Sequence, residues 1–297
     1  MKDKNDKIWD ILFVLPQFTL YFLLTIIPFF LIIFVMFTDI VSVNSNTFNF
    51  IGLGNFKEIF SPQLFPKLFE VVRRTVIFTL LNYSTVFIFG LTLALIIYEK
   101  FAKAQKIFNV VIFLPYIISG MAAGMFLPLL FNQDTGSLNL LLMKLGWIKE
   151  AINIKTKMGT TIGLPLLVGW RYAGYNMAIF LVGLAAIPKS TIEASKIDGA
   201  SYFQRLRYIY FPQMVPSFIL ATISCFIGSF GIFDEPVGMG GLAGNENAQV
   251  FALLLFRIGT WAQSGTLSMG MALSFIVNVP LILIALYLLS LQKKLQY

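Results

Sequence analysis

The chain of 297 residues contains no histidine and a single cysteine, Cys225. Without histidine there is no imidazole to bind a metal or relay a proton near neutral pH. One cysteine excludes an internal disulfide and any cysteine-rich metal cluster. Charge is also scarce. Asp, Glu, Lys and Arg make up 12% of the chain, against roughly 25% in soluble domains. Apolar residues fill the space at 58%, with 31 Phe among them. Long apolar stretches of this composition make an all-α integral membrane protein. The net charge of +8 is therefore a topology signal first, and no nucleic-acid partner is expected.

Six stretches reach the roughly 20 mostly apolar residues that a spanning helix needs: Ile11–Phe37, Arg74–Tyr98, Ile107–Phe131, Thr161–Ala186, Val215–Phe233 and Leu267–Leu291. Lys2, Lys4 and Lys7 precede a first stretch longer than a signal peptide's apolar region. No small-residue cleavage site follows it, so it is expected to stay as a helix. The fifth stretch is rich in small residues (Ser217, Ala221, Ser224, Gly228, Ser229, Gly231). Small residues let helix backbones approach closely, which predicts a central position. Gly120 and Gly124, four apart in the third stretch, suggest the same.

With the N-terminus inside, twelve Lys and Arg fall on the inner side and nine on the outer, the latter spread over longer loops. The bias places both termini in the cytoplasm. Two outer loops are long, 38–73 and 132–159, and each has the pattern for a short surface helix. No linker divides the chain, so 1–297 reads as one transmembrane domain.

The most polar stretch between two spans is Ser190–Pro212. Ser190 and Glu193 have the spacing of a capping box, which predicts a helix from Thr191. Gly199 stands where such a helix ends in a left-handed residue. Ser201 is placed to cap a second helix running to Pro212, with Phe203, Leu206 and Ile209/Tyr210 on one face. On physics alone this is an interfacial helix pair that connects two spans.

Its details say more. Glu193-Ala194-Ser195-x-x-Asp198-Gly199-Ala200, followed by Phe203, Ile209 and Pro212, resembles the "EAA" coupling loop of binding-protein-dependent ABC importer permeases. Ser195 and Phe211 are mild departures. Phe50-Ile51-Gly52-Leu53-Gly54-Asn55-Phe56 resembles the outer F-x-G-L-x-N-Y/F segment of the sugar-importer permeases. Phe113-Leu114-Pro115 and Phe131-Asn132-Gln133-Asp134-x-Gly136-x-x-Asn139 are similar to further family stretches, in the same order. One family motif, T-x-G-G-P, is reduced here to Met239-Gly240-Gly241-Leu242.

The resemblance implies a type I permease fold of six transmembrane helices with cytoplasmic coupling helices. It implies a permease core over 72–291 and a coupling loop over 190–212. It places the protein in the bacterial plasma membrane as a multi-pass subunit. The implied partners are a second homologous permease, two ATPase subunits, an extracellular solute-binding protein, a sugar substrate and the lipid membrane. The ATPase subunits would use ATP and Mg, and this chain binds no cofactor. Consistently, no G-x-x-x-x-G-K-[ST] phosphate loop occurs in it.

Carried over residue by residue, Glu193, Ala194, Asp198, Gly199 and Ala200 are the expected ATPase-coupling residues. The helices flanking the loop line the family's pathway, which makes Arg171, Tyr172, Tyr175, Asn176, Cys225 and Ser229 candidate pathway residues. Asn82 and Tyr83 in the second span and Asn278 in the sixth join them. Tyr172, Tyr175 and Asn176 share one helix face by their i, i+3, i+4 spacing. Aromatic faces with amide groups suit a neutral sugar, although polar residues also serve as glue between helices. Arg171 is the one charge well inside a span. It has three readings: contact with a ligand, pairing with Asp234 or Glu235, or snorkelling.

Three other functions compete with this reading. A permease for glycerol phosphate or another small anion is favoured by Arg171 alone. A secondary transporter needs intramembrane carboxylates and inverted repeats, and neither is visible here. An intramembrane enzyme lacks both a zinc motif and paired carboxylates in a span.

Overall fold

The computed structural model describes residues 4–99, 105–260 and 266–295. Lys2, Lys100 and Lys103, three of the twelve inner-side cations, lie outside them, as does the C-terminal Tyr297. About three-quarters of the described residues are helical, and they contain one isolated bridge, Thr38 to Phe50. Their contacts form two units, one of residues 1–68 with 255–279 and one of 69–254 with 280–297.

In the first unit, α1 (Lys4–Tyr21) runs through a π-helical turn, Phe22–Ile26, into α2 (Ile27–Val35). The segment Leu12–Val35 is apolar enough to span a membrane and none of it is buried. A short α3 (Gly54–Ile59) follows. Here the F-x-G-L-x-N segment has a structural job. Gly52 adopts φ 56°, which an L-residue rarely does. The turn brings buried Asn55 under the end of α2, where its amide donates to Met36 O (2.9 Å) and Thr38 O (2.8 Å). Carbonyls orphaned at a helix end thereby find a donor.

The second unit takes all but the first turn of α4 (Phe65–Tyr98), a 34-residue rod of about 50 Å. The helix begins nine residues before the predicted span, so Lys67, Arg73 and Arg74 lie in its first turns rather than in a loop. The predicted third span is not one helix. It is α5 (Gln105–Ile117) and α6 (Gly120–Leu130), meeting at 95°. Pro115 removes one backbone donor near the end of α5, and Ser119 is extended. What makes the break worthwhile is distant in sequence: α6 packs on a later helix, α13 (Asp234–Gly238). Gly124 and Gly238 meet there so closely that a Cβ on Gly238 would stand 2.8 Å from the Cα of Gly124. The paired small residues do allow close approach, as their spacing suggested.

Within α7 (Ser137–Lys144) the buried side chain of Asn139 clasps the loop that follows, exchanging hydrogen bonds with Ile152 N and O at 2.9 and 3.0 Å. Then come α8 (Lys157–Ala185), α9 (Lys189–Ile197), α10 (Tyr202–Arg205), a π-helical turn Leu206–Tyr210, α11 (Phe211–Gln213) and α12 (Val215–Gly231). α14 (Phe251–Thr260) and α15 (Leu267–Leu295) complete the chain. Three helices are long and apolar enough to cross a membrane, and the number rises to six if each of three helix pairs bent by 67–95° counts as one span, which is consistent with the six predicted.

One apolar cluster of the second unit joins Ala94 and Ile97 of α4, Phe180 and Leu184 of α8, Ile192 of α9, Tyr210, and Ala221 of α12. Ile192 therefore anchors the polar loop to the helix bundle by burying its side chain.

Candidate functional site

The middle of the second unit encloses a cavity of about 610 Å³ between α4, α8 and α12. Asn82 lies at the centre of α4 and Arg171 at the centre of α8. Both line the cavity, with Tyr172, Tyr175, Asn176, Cys225 and Ser229. The i, i+3, i+4 pattern on α8 therefore forms one wall, as its spacing requires.

Two candidates point elsewhere. Tyr83, the next residue along α4 from Asn82, is rotated about 100° around the helix. It contacts Thr222 Oγ1 at 3.3 Å and packs its ring on Phe87. Asn278 belongs to the other unit, is exposed, and donates to Ser274 of its own helix at 2.8 and 3.0 Å. Sequence reasoning in turn missed Tyr116. Its ring stacks on Tyr175 (5.7 Å, 16°) and meets Tyr172 edge-on (5.5 Å, 72°). The available signal was a tyrosine directly after Pro115, inside a span rather than at the interface where tyrosines gather.

Arg171 is paired. Its guanidinium bonds the Glu235 carboxylate, with both side chains buried, and it stands 5.1 Å over the Tyr172 ring. The short α13 places Glu235 there, and α6 supports it from behind. A Cβ on Gly120 would come within 2.7 Å of Asp234 Cβ and 3.2 Å of Glu235 Cδ. Asp234 is exposed and lines the same cavity. The Asn82 amide nitrogen donates to Ser229 Oγ (3.1 Å) and approaches Cys225 Sγ (3.6 Å). It thus ties α4 to α12 while its residue borders the cavity. Asn82 Oδ1 and Arg171 Nε are buried without a hydrogen-bond partner among the described residues. Buried polar atoms of this kind call for water or a ligand nearby. A second hollow, of about 820 Å³, has no charged residue in its lining and is mostly apolar.

The polar loop differs from expectation at its start. α9 begins at Lys189 with extended Pro188 in the flanking position and no side-chain cap. Proline sets the non-helical entry itself, so Ser190 is already helical and the Ser190–Glu193 capping box does not form. Glu193 is left exposed, together with Ala194, Asp198 and Gly199, while Ala200 is half-buried. Ile192 and Ser195 face inward, and Ser195 Oγ donates to Ile192 O at 2.7 Å.

Gly199 has φ 78°, and Ala200 N closes the turn on Ser195 O at 2.9 Å. Ser201 does cap the next helix, in a reciprocal box with Gln204. The predicted apolar face there is displaced. The π-helical turn Leu206–Tyr210 changes the spacing, so Tyr210 is buried while Phe203 is exposed. Ile197, Phe203 and Tyr208 are 86%, 78% and 69% exposed on this otherwise polar loop.

Residues 86–295 match the family described as the binding-protein-dependent transport system inner membrane component. The chain belongs to that family. It is a permease component of an ABC transport system in the inner membrane, and the family is not one of enzymes. The probable starch degradation products transport system permease protein AmyD of Thermoanaerobacterium thermosulfurigenes is 27% identical over 285 residues, covering 96% of this chain and 94% of that protein. The arabinooligosaccharides transport system permease protein AraP of Bacillus subtilis is 30% identical over 221 residues, covering 73% and 69%. In fold, the chain superposes on a subunit of a bacterial ABC transporter involved in the import of the acidic polysaccharide alginate. The TM-score is 0.80 at 19% identity, over 98% of this chain and 96% of that one. The helical permease fold expected from the sequence is the fold observed.

Proposed function

We propose that this chain forms half of the translocation pathway of an importer for a neutral oligosaccharide. It works beside a second, homologous permease. Two ATPase subunits dock beneath the pair and hydrolyse ATP with Mg, and an extracellular solute-binding protein delivers the sugar. Both termini face the cytoplasm, which puts the loop over 190–212 on the ATPase side. Exposed Glu193, Ala194, Asp198 and Gly199 form the docking surface with Ile197, Phe203 and Tyr208, because three bare apolar side chains on a polar loop need a partner to cover them.

The observation that carries the substrate class is the cavity wall. Tyr116, Tyr172 and Tyr175 present aromatic faces and hydroxyls, with Asn82 and Asn176 alongside. The relatives named for starch products and arabinooligosaccharides support this reading. The anionic alternative rested on Arg171. That cation is compensated by Glu235, and Asp234 adds a second carboxylate to the same lining. One cation against two carboxylates is a poor receptor for a phosphate or a uronate. The likeness to the alginate transporter concerns the fold alone.

The test is uptake competition. The assembled transporter, purified with its partners from native membranes and placed in liposomes with its binding protein, is offered labelled maltotriose or arabinotriose. Unlabelled neutral oligosaccharide should compete and a large excess of sn-glycerol 3-phosphate should not. Uptake of labelled glycerol phosphate that neutral sugars fail to inhibit would overturn the proposal.

A further inference from the structure

Glu99 follows the last residue of α4 and continues its turn, with Glu99 N bonded to Leu95 O at 3.0 Å. A carboxylate at a helix C-terminus faces the negative end of the helix dipole, where a cation is the favoured residue. A locally unfavourable choice of this kind tends to mark a functional constraint. The compensating partner comes from the polar loop. Tyr210, 1% exposed, donates its hydroxyl to Glu99 Oε1 at 2.7 Å. Its ring meets Tyr98 edge-on at 5.9 Å. Burial, and then Glu99, push the phenol up to about 12, so it remains a proton donor throughout the physiological range.

The position of this bond matters because of how the loop joins the cavity walls. Through Pro188 the loop is covalently continuous with α8, and through Met214 with α12. Those two walls follow any movement of the loop directly. The third wall, α4, has no direct covalent link to the loop and, among the described residues, meets it through side chains in the apolar cluster, at Tyr98 and at Glu99. From Glu99 to Asn82, in the cavity, is about 26 Å of helix at 1.5 Å per residue.

We propose that the Glu99–Tyr210 hydrogen bond is a latch that makes α4 move with the coupling loop, so that all three cavity walls shift together when the ATPase closes. Glu99 and Tyr210 are positioning residues for coupling, remote from the substrate. The inference rests on the reading of 190–212 as the docking loop.

The test uses the assembled transporter in liposomes, with whichever of maltotriose or arabinotriose the wild type imports. Tyr210→Phe keeps the ring and its packing but removes the hydroxyl. Glu99→Ala removes the acceptor, and Glu99→Gln keeps an acceptor oxygen at the same place. The readout is sugar imported per ATP hydrolysed, with ATPase recovery on co-purification as a separate measurement. Tyr210→Phe and Glu99→Ala should each lower the transport ratio about tenfold, the scale of one hydrogen bond to a charged group, while ATPase recovery stays at the wild-type level. Glu99→Gln should restore most of the ratio, and the double variant Glu99→Ala/Tyr210→Phe should be no worse than either single one. An unchanged ratio in Tyr210→Phe would overturn the latch and leave the docking reading intact. Loss of ATPase recovery in all three variants alike would reduce the pair to a support of the fold and also overturn it. Failure of the wild type itself to retain an ATPase subunit would instead sink the docking reading on which the latch rests.

Discussion

Gly199→Val is expected to leave the protein inserted and abundant while abolishing stimulation of the ATPase by sugar-loaded binding protein. At φ 78° the backbone of Gly199 is left-handed, and a Cβ there would meet nothing within 4 Å. The cost of valine is therefore backbone strain and not collision. The left-handed region costs an ordinary residue about 1–2 kcal/mol, and β-branched residues are the least tolerant of it. The turn relieves that strain by rotating out of the left-handed region. This opens the Ala200 to Ser195 bond and tilts the helix capped by Ser201 away from α9. Ile197 and Phe203 lie on opposite sides of this turn, so the docking surface loses its shape while the spans are untouched. Gly199→Asn is the control, since asparagine tolerates the left-handed region. Stimulated ATPase activity of the reconstituted transporter should fall at least about tenfold for Val and stay near normal for Asn. Normal stimulation with Val would reduce the loop to a connector.

Glu235→Ala should be the most damaging single change to stability in the second unit. It strips the partner from Arg171, which is 8% exposed in the middle of α8. Breaking a buried pair from one side costs about 3–5 kcal/mol, because the remaining charge stays desolvated. Replacing both partners with apolar residues of similar size is often neutral or stabilising. The expected pattern in detergent is a large drop in melting temperature and yield for Glu235→Ala. Much of that loss should be recovered in Arg171→Met/Glu235→Leu. Sugar import should stay impaired in the double variant, because the cavity has lost its polar end. A single variant that melts like the wild type would show that Arg171 finds water or lipid headgroups instead, the snorkelling alternative.

What the sequence revealed depended on how local the determinant was. Tyr172, Tyr175 and Asn176 were legible as one wall because helical spacing alone puts them on one face. Gly199 was legible because its conformation is set by the turn between two helices. Asn278 was not, because the spacing within one helix says nothing about what its face meets. The fall of Tyr83 away from the cavity has the same origin, one residue of rotation. Glu193 looked like half of a capping box because Ser190 lies three residues before it. Pro188 starts the helix earlier, a local competition between two start signals that the sequence left open. The break at Ile118–Ser119 was hidden for a different reason. Proline and glycine occur in unbroken membrane helices too, and what settles the matter here is the packing of α6 on α13, more than a hundred residues later. The family segments were recognisable, while their physical work was not. Asn55 and Asn139 hold carbonyls of a helix end and of loops, partners that come from outside the motifs themselves.

The most direct measurement is cross-linking from the tip of the loop. Ile197 is exposed at the end of α9, and the single native cysteine, Cys225, is buried. A cysteine placed by Ile197→Cys, in a Cys225→Ser background, can carry a short photoactivatable reagent in transporter that still imports sugar. An adduct between this chain and an ATPase subunit, altered in yield when ATP is trapped, is the predicted result. Reaction only with lipid or with soluble quenchers, in a preparation that still transports, would contradict docking through this loop.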